Sequence, residues 1–267
     1  MYTTRKNIII TKAKALLCGR HVKFSFYEKE LFYNTISASR KKIQRERQEK
    51  NQTDKEDNRR RAGNRARSHV FNIISTNAWF WKDQKGIAYN PKFLTLTFGE
   101  NISNVEEANL LHTKFIKKFN YKIFQKKKIE LKYVSVIEFQ KRGAIHYHMV
   151  LFNIPYILSE SVFKVWGHGY IKIKKVDEQK NVARYLTKYM SKNNMDERLN
   201  GKKRYFCSRG LLKPVEIKRE FDVFELYQKI PKEYLSSEIA YVSKYLGVVK
   251  VISYDLGKGN TINDIIG

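Results

Sequence analysis

Two histidines stand one residue apart in GAIHYHMVLFN, Gly143 to Asn153, inside an otherwise apolar run. Side chains on a β-strand alternate between faces, so His146 and His148 share one face while Ile145, Tyr147, Met149 and Leu151 share the other. One face is then core and the other carries imidazoles. Upstream, LKYVSVIEFQ reads as a second strand, and the intervening KRG as a three-residue hairpin loop with Gly143 at the position needing positive φ. Such a loop sets Gln140 against Ala144 and Glu138 directly opposite His146. Two imidazoles and a carboxylate on one face form a donor set for a divalent metal with open positions, suited to holding a phosphate oxygen. Zinc accepts these ligands, but a carboxylate with open octahedral positions suits Mg²⁺ or Mn²⁺; Mn²⁺ is expected to bind best and Mg²⁺ to be the abundant cellular ion. An HxH pair alone is more often two histidines at a surface or core edge, and the glutamate in register is what raises the metal reading.

A second chemical signal lies in VARYLTKYMSK. At helical spacing Tyr185, Lys188, Tyr189 and Lys192 form one stripe, and Val182, Leu186 and Met190 form the neighbouring, core-facing one. Tyrosine is a covalent nucleophile in few chemistries, and phosphodiester transfer is one. Its phenol titrates near 10, so attack needs a metal to polarise the phosphate and a lysine to stabilise developing charge. Tyrosines at a core boundary beside solvated lysines are the plain alternative for such a helix on its own.

Several elements must hold these groups. KFLTLTF alternates as a strand, and NVEEANLLHTKFIKKFNYKIF carries Leu111, Phe115, Ile116 and Phe119 at helical spacing behind an N-cap at Asn104. GYIKIKKV reads as a further strand, and DEQKNVARYLTKYMSK as a helix opened by acidic residues. Strands alternating with helices, one pair joined by a tight hairpin, predict an α+β fold: a central antiparallel β-sheet with flanking helices.

The chain has 267 residues, 42% of them hydrophobic, enough for one substantial core and an extra subdomain. Its 53 Lys and Arg against 26 Asp and Glu give a net charge of +27, which calls for a polyanionic partner, nucleic acid or an anionic membrane surface. From Ala38 to Arg67 nearly every residue is charged or polar, as in a basic arm along phosphates or a soluble linker. Cys18 and Cys207 form no CxxC pair, which argues against a disulfide framework or zinc ribbon and for a reducing cytosol. The N-terminal NIII run is cut short by Lys12 and Lys14, so a cytoplasmic location without a membrane partner is expected. GKGNT near the end lacks the GxxxxGK[ST] spacing, which excludes a motor ATPase reading. The expected organisation is a basic, largely helical region over 1–88, a core over 89–214, and a strand-rich extension of that core over 215–267.

FLTLTF from Phe93, HYHMVLF from His146 with Glu138 upstream, and YLTKYMSK from Tyr185 together resemble, in order, the motifs of the HUH single-strand endonucleases, specifically the rolling-circle replication initiators of small plasmids and phages. The resemblance covers Pro91 to about Pro214. It implies an RRM-like or ferredoxin-like palm and metal-dependent nicking and joining of single-stranded DNA at an origin hairpin. It also implies a 5′-phosphotyrosine intermediate and a 3′-OH primer that host helicase and DNA polymerase extend in a bacterial cytoplasm. Tyr189 matches the nucleophile of single-tyrosine plasmid initiators, in which a glutamate stands where this chain has Tyr185; paired tyrosines in phage initiators act in turn. The resemblance therefore implies Tyr189 as the first nucleophile and Tyr185 as the second, with Lys188 and Lys192 beside them. DNA contacts are expected from Thr95, Thr97, Arg142, Arg204, Arg209 and Lys213. An HUH transposase, a mobilisation relaxase, and a non-catalytic basic nucleic-acid-binding protein are the alternatives.

Overall fold

The computed structural model of the chain describes residues 8–34, 52–140, 143–176, 182–192 and 196–257, and positions 260, 262 and 264. In chain order, β1 is Ile8–Cys18, β2 His21–Asn34, α1 Gln52–Asn77, β3 Lys92–Thr97, α2 Val105–Phe124, β4 Tyr133–Phe139 and β5 Ile145–Leu151. Then follow α3 Ser159–Trp166, β6 Ile171–Lys175, α4 Val182–Lys192, β7 Tyr205–Cys207, β8 Val215–Ile217, α5 Glu220–Lys229, β9 Leu235–Ser243 and β10 Gly247–Asp255. The chain divides into two compact units, one of residues 50–212 and one made from its two ends, 1–49 with 213–267.

The unit of the two ends holds an antiparallel sheet ordered β8-β1-β2-β10-β9. Residues 8–34, expected within a largely helical region, instead form a hairpin. Thr11, Ala13 and Ala15 are buried in alternation with Lys12 and Lys14, a period of two that net charge obscures. Ala13, Ala15, Val22 and Phe24 pack with Val223 and Leu226 of α5. The C-terminal strands, expected to extend the core, pair with the N-terminal hairpin, β10 lying against β2. Strand propensity made them visible in sequence, but pairing between distant segments is a tertiary choice.

The 50–212 unit is the α+β core: an antiparallel sheet ordered β6-β3-β5-β4-β7 with helices on both faces. Leu94, Leu96, Ile137, Tyr147 and Met149 pack against α2 and α3, including Phe115, Phe119 and Trp166. On the opposite face Phe93, Val134, Val136 and Val150 pack against Val70, Ile73 and Ile74 of α1 and Val182, Leu186 and Met190 of α4. The central strand β5 is thus buried along its whole length, and the imidazole-bearing face lies under helices as well. Asn104 caps α2 as its sequence predicts, its side chain accepting from the N–H groups of Glu106 and Glu107 at 2.9 and 3.1 Å.

Two glycines set the frame around the central strands. Gly143 has φ +89°, and Gln140 N–H donates to the Ala144 carbonyl at 2.8 Å, closing the β4–β5 turn. Gly169, at φ +136°, lies so close to β3 that a Cβ there would stand 2.5 Å from the Thr97 carbonyl oxygen. The Trp166 indole N–H donates to that same oxygen at 3.0 Å. The approach of the GHG segment to the end of β3 therefore depends on a residue without a side chain.

Candidate metal and tyrosine site

The register of β4 on β5 pairs Glu138 with His146 and Val136 with His148. β3 lies on the other side of β5, with Thr95 opposite His148 and Thr97 opposite His146. Because His146, His148 and Glu138 fall on one face of adjacent strands, their ligand atoms all lie within 4.8 Å of one another. Both histidines are buried, at 8% and 4% exposure, and this is a group of donors that could hold a divalent ion. Ligands about 2.0–2.2 Å from one ion stand at most about 4.4 Å apart, so only a small inward movement would close the set.

His148 is held from both sides. Its Nε2 lies 2.6 Å from Glu138 Oε2 and its Nδ1 3.1 Å from Thr95 Oγ1. A threonine hydroxyl both donates and accepts, so Thr95 can partner Nδ1 whichever ring nitrogen carries the proton. When Nε2 turns its lone pair to a metal, Nδ1–H can donate to Thr95 and keep the ring oriented. Thr95, expected at DNA, thus has its hydroxyl on the metal group. Thr97 contributes its N–H to the Tyr170 carbonyl at 2.8 Å and its own carbonyl to Trp166.

Above this face α4 presents its tyrosines. Val182, Leu186 and Met190 anchor the helix on the sheet, which leaves Tyr185 and Tyr189 at the boundary of the buried stripe. The ring of Tyr189 stacks on His148 with centroids 3.6 Å apart, and Tyr189 O–H donates to the Tyr185 oxygen at 2.9 Å. Phe93 of β3 completes the aromatic cluster, with its ring 4.8 Å from that of Tyr185 and 6.1 Å from that of Tyr189. Burial raises the pKa of Tyr189 well above the ordinary phenol range, and the hydrogen bond to Tyr185 and the neighbouring Glu138 charge act in the same direction. Tyr185 is half exposed and opens the pair to solvent.

The other expected residues are distributed differently. Lys188 is exposed on α4. Lys192 ends that helix, but its side chain lies outside the described residues, as do Arg142 and the acidic residues expected to open the helix. Arg209 is exposed and its carbonyl accepts from Lys132 at 3.0 Å, whereas Lys213 begins the C-terminal segment of the other unit. Arg204 lines a groove beside α1. His168, read as a surface loop residue, is exposed and stands apart from the group formed by Glu138, His146 and His148.

Sequence reasoning missed the group that braces Glu138. The Arg198 guanidinium donates to the Gly143 carbonyl at 2.9 Å, lies 3.7 Å over the Phe139 ring, and is gripped by Asp196 at 2.7 Å. It thereby ties the β4–β5 turn to the segment before β7. Only the DxR spacing of Asp196 and Arg198 hints at this, and that pattern is common on surfaces.

The model of a replication-associated protein family, described under the name Replication-associated protein ORF2, matches residues 91–194, the stretch from the start of β3 to the end of α4. The similarity favours a replication-associated protein, and it covers every residue of the metal and tyrosine cluster. No curated protein and no solved structure matches the chain. No helix among the described residues is long and apolar enough to cross a membrane.

Proposed function

We propose that this chain initiates rolling-circle DNA replication as a metal-dependent HUH endonuclease, cutting one strand of single-stranded origin DNA through a tyrosyl intermediate. The observation that carries the proposal is the stacking of Tyr189 on His148 at 3.6 Å, which brings a phenol to the same face as two histidines and a glutamate. The match to a replication-associated family over 91–194 supports the biological setting, as does the net charge of +27.

A divalent cation, Mn²⁺ or Mg²⁺, held by Glu138, His146 and His148 supplies Lewis-acid stabilisation of a scissile phosphate when bound. Tyr189 Oη attacks phosphorus, the bond from phosphorus to the 3′ oxygen breaks, and the phosphate remains on the enzyme as a 5′-phosphotyrosine. The phenol gives up its proton and the departing 3′ oxygen takes one up, leaving a 3′-OH. The hydrogen bond from Tyr189 to Tyr185 points that proton toward the more exposed phenol, where water can receive it. Tyr185, four residues along the same helix, is placed to make a second transfer once the origin is regenerated. The phosphotyrosine keeps the energy of the cut bond, so rejoining needs no ATP; polymerase and helicase come from the host.

Labelled single-stranded origin DNA from the parent replicon, incubated with the full chain and Mn²⁺, Mg²⁺ or chelator and resolved on a denaturing gel, tests this. A metal-dependent covalent adduct that disappears in the Tyr185→Phe, Tyr189→Phe double variant is the expected result. Tight, metal-independent binding with no adduct would overturn it in favour of a binding module.

A further inference from the structure

Away from the tyrosines, the 50–212 unit has an open groove of about 510 Å³ between α1 and residues 199–204. Its volume lies within the range of about 300–1,000 Å³ common for ligand sites, yet its lining is unlike an apolar pocket. Arg59 and Asn58 come from α1, and Lys202 and Arg204 from the segment leading into β7. Burial together with the nearby Arg59 charge lowers the Arg204 pKa, so the two guanidiniums lie close enough to oppose each other.

Three carboxylates border these cations, and each is either committed or easily displaced. Asp196 grips Arg198, which is itself fixed to the Gly143 carbonyl. Glu197 meets Arg59 at 3.4 Å with its own side chain 77% exposed, and Glu106 meets Lys202 at 2.6 Å with 67% exposed. Exposed pairs of this kind contribute little and exchange readily for a better anion. A guanidinium fork matches two oxygens of a phosphate, and a phosphate between Arg59 and Arg204 would relieve their repulsion.

We propose that this groove is a phosphate subsite, in which Arg59 and Arg204, with Lys202 at the rim, hold a backbone phosphate of the DNA strand outside the tyrosine cluster. Taking DNA as the polyanion rests on the nuclease reading above. Through Asp196 and Arg198 the groove is joined to the β4–β5 turn, so a strand held here is registered against the element that carries Glu138.

The test uses the full chain with Tyr185 and Tyr189 both changed to Phe, in chelator, so that binding is read without cleavage. Affinity for a labelled single-stranded oligonucleotide is measured by fluorescence anisotropy across a salt series. Adding Arg59→Gln and Arg204→Gln is expected to reduce the slope of log K against log salt by about 1.4, since each lost phosphate contact on a single strand accounts for about 0.7. Lysine at both positions should restore the slope while leaving affinity below that of the arginine parent. Removing two exposed charges elsewhere, with Lys117→Gln and Lys118→Gln, should leave the slope nearly unchanged. Where the double glutamine variant fails to fold, Lys202→Gln gives the same reading with an expected change of about 0.7. An unchanged slope, an equal loss with the α2 lysine variants, or no oligonucleotide binding by the parent would overturn the subsite. An oligonucleotide replaced as readily by equimolar inorganic phosphate would also overturn it, by showing a small-anion site. The adduct assay reads the nuclease proposal separately, because groove variants can lose affinity while tyrosyl chemistry persists, and the reverse.

Discussion

The ring of Tyr189 lies on the imidazole of His148 with centroids 3.6 Å apart and planes 19° apart. That contact joins α4 to the central strand of the sheet and sets the phenol beside the Glu138–His148 pair, whose nearest atoms are 2.6 Å apart. Helix packing and ligand geometry are therefore one arrangement: a shift of α4 moves the phenol and uncovers a donor together.

Tyr189→Phe keeps the stacked ring and removes only the hydroxyl. It should fold and bind metal as the parent does, while first-strand adduct formation falls by about a thousandfold or more, equivalent to about 4 kcal/mol of barrier. Tyr185→Phe should spare the first cut and impair the second transfer. Single-turnover gels on a substrate with two successive origin sites distinguish the two.

Metal affinity should depend on the hydroxyl behind the ligand as well as on the ligands. Glu138→Gln and His148→Ala should each abolish measurable Mn²⁺ binding in titration calorimetry. Thr95→Val, which preserves shape and removes the partner of His148 Nδ1, should weaken it by about 10–100-fold. Unaltered affinity in Thr95→Val would mean that the hydroxyl does not orient the ring.

Gly169→Ala tests the close approach at the end of β3. An added methyl meets the Gly99 nitrogen and the Thr97 carbonyl, and the backbone is at φ +136°. A loss of about 2–4 kcal/mol in urea unfolding is expected, from the steric clash and the strained dihedral together. Gly201→Ala is the comparison: φ there is +70°, also strained, but open space surrounds the position, so the loss should be smaller.

Acid sensitivity should arise partly from His112, which is fully buried on the opposite face of the sheet. It pairs with Ser135 Oγ at 3.1 Å and stacks on Tyr147 at 4.3 Å. Burial pushes its pKa from 6.5 down to about 3. Its ring neighbours Tyr133 and Tyr147 have phenol pKa values raised by burial, so they stay protonated across this range. Between the two histidine values the unfolded chain holds a proton that the folded chain refuses. Stability therefore falls as pH drops below 6.5, by about 1.4 kcal/mol per pH unit once the unfolded histidine is charged, and this contribution levels off near 3. In His112→Phe, denaturant unfolding followed between about pH 4 and 6 should show a slope smaller by about one proton.

What the sequence determined by itself is local and periodic. A period of two puts His146 and His148 on one face, a three-residue turn closed by Gly143 brings Glu138 opposite His146, and helical spacing unites Tyr185 with Tyr189. Asn104 announces the start of α2 through its cap. These relations span a few residues, so backbone geometry alone enforces them. The tertiary structure decided what lies far apart in the chain: that α4 lays Tyr189 on His148, that Thr95 partners that ring, and that Arg198 braces the turn. It also paired β10 with β2 to build a sheet from the two ends, and set Arg59 beside Arg204. Alternation was present in β1 and β2, but high charge hid it; which distant surfaces then meet is chosen by burial and complementary packing, and neither leaves a periodic trace in sequence.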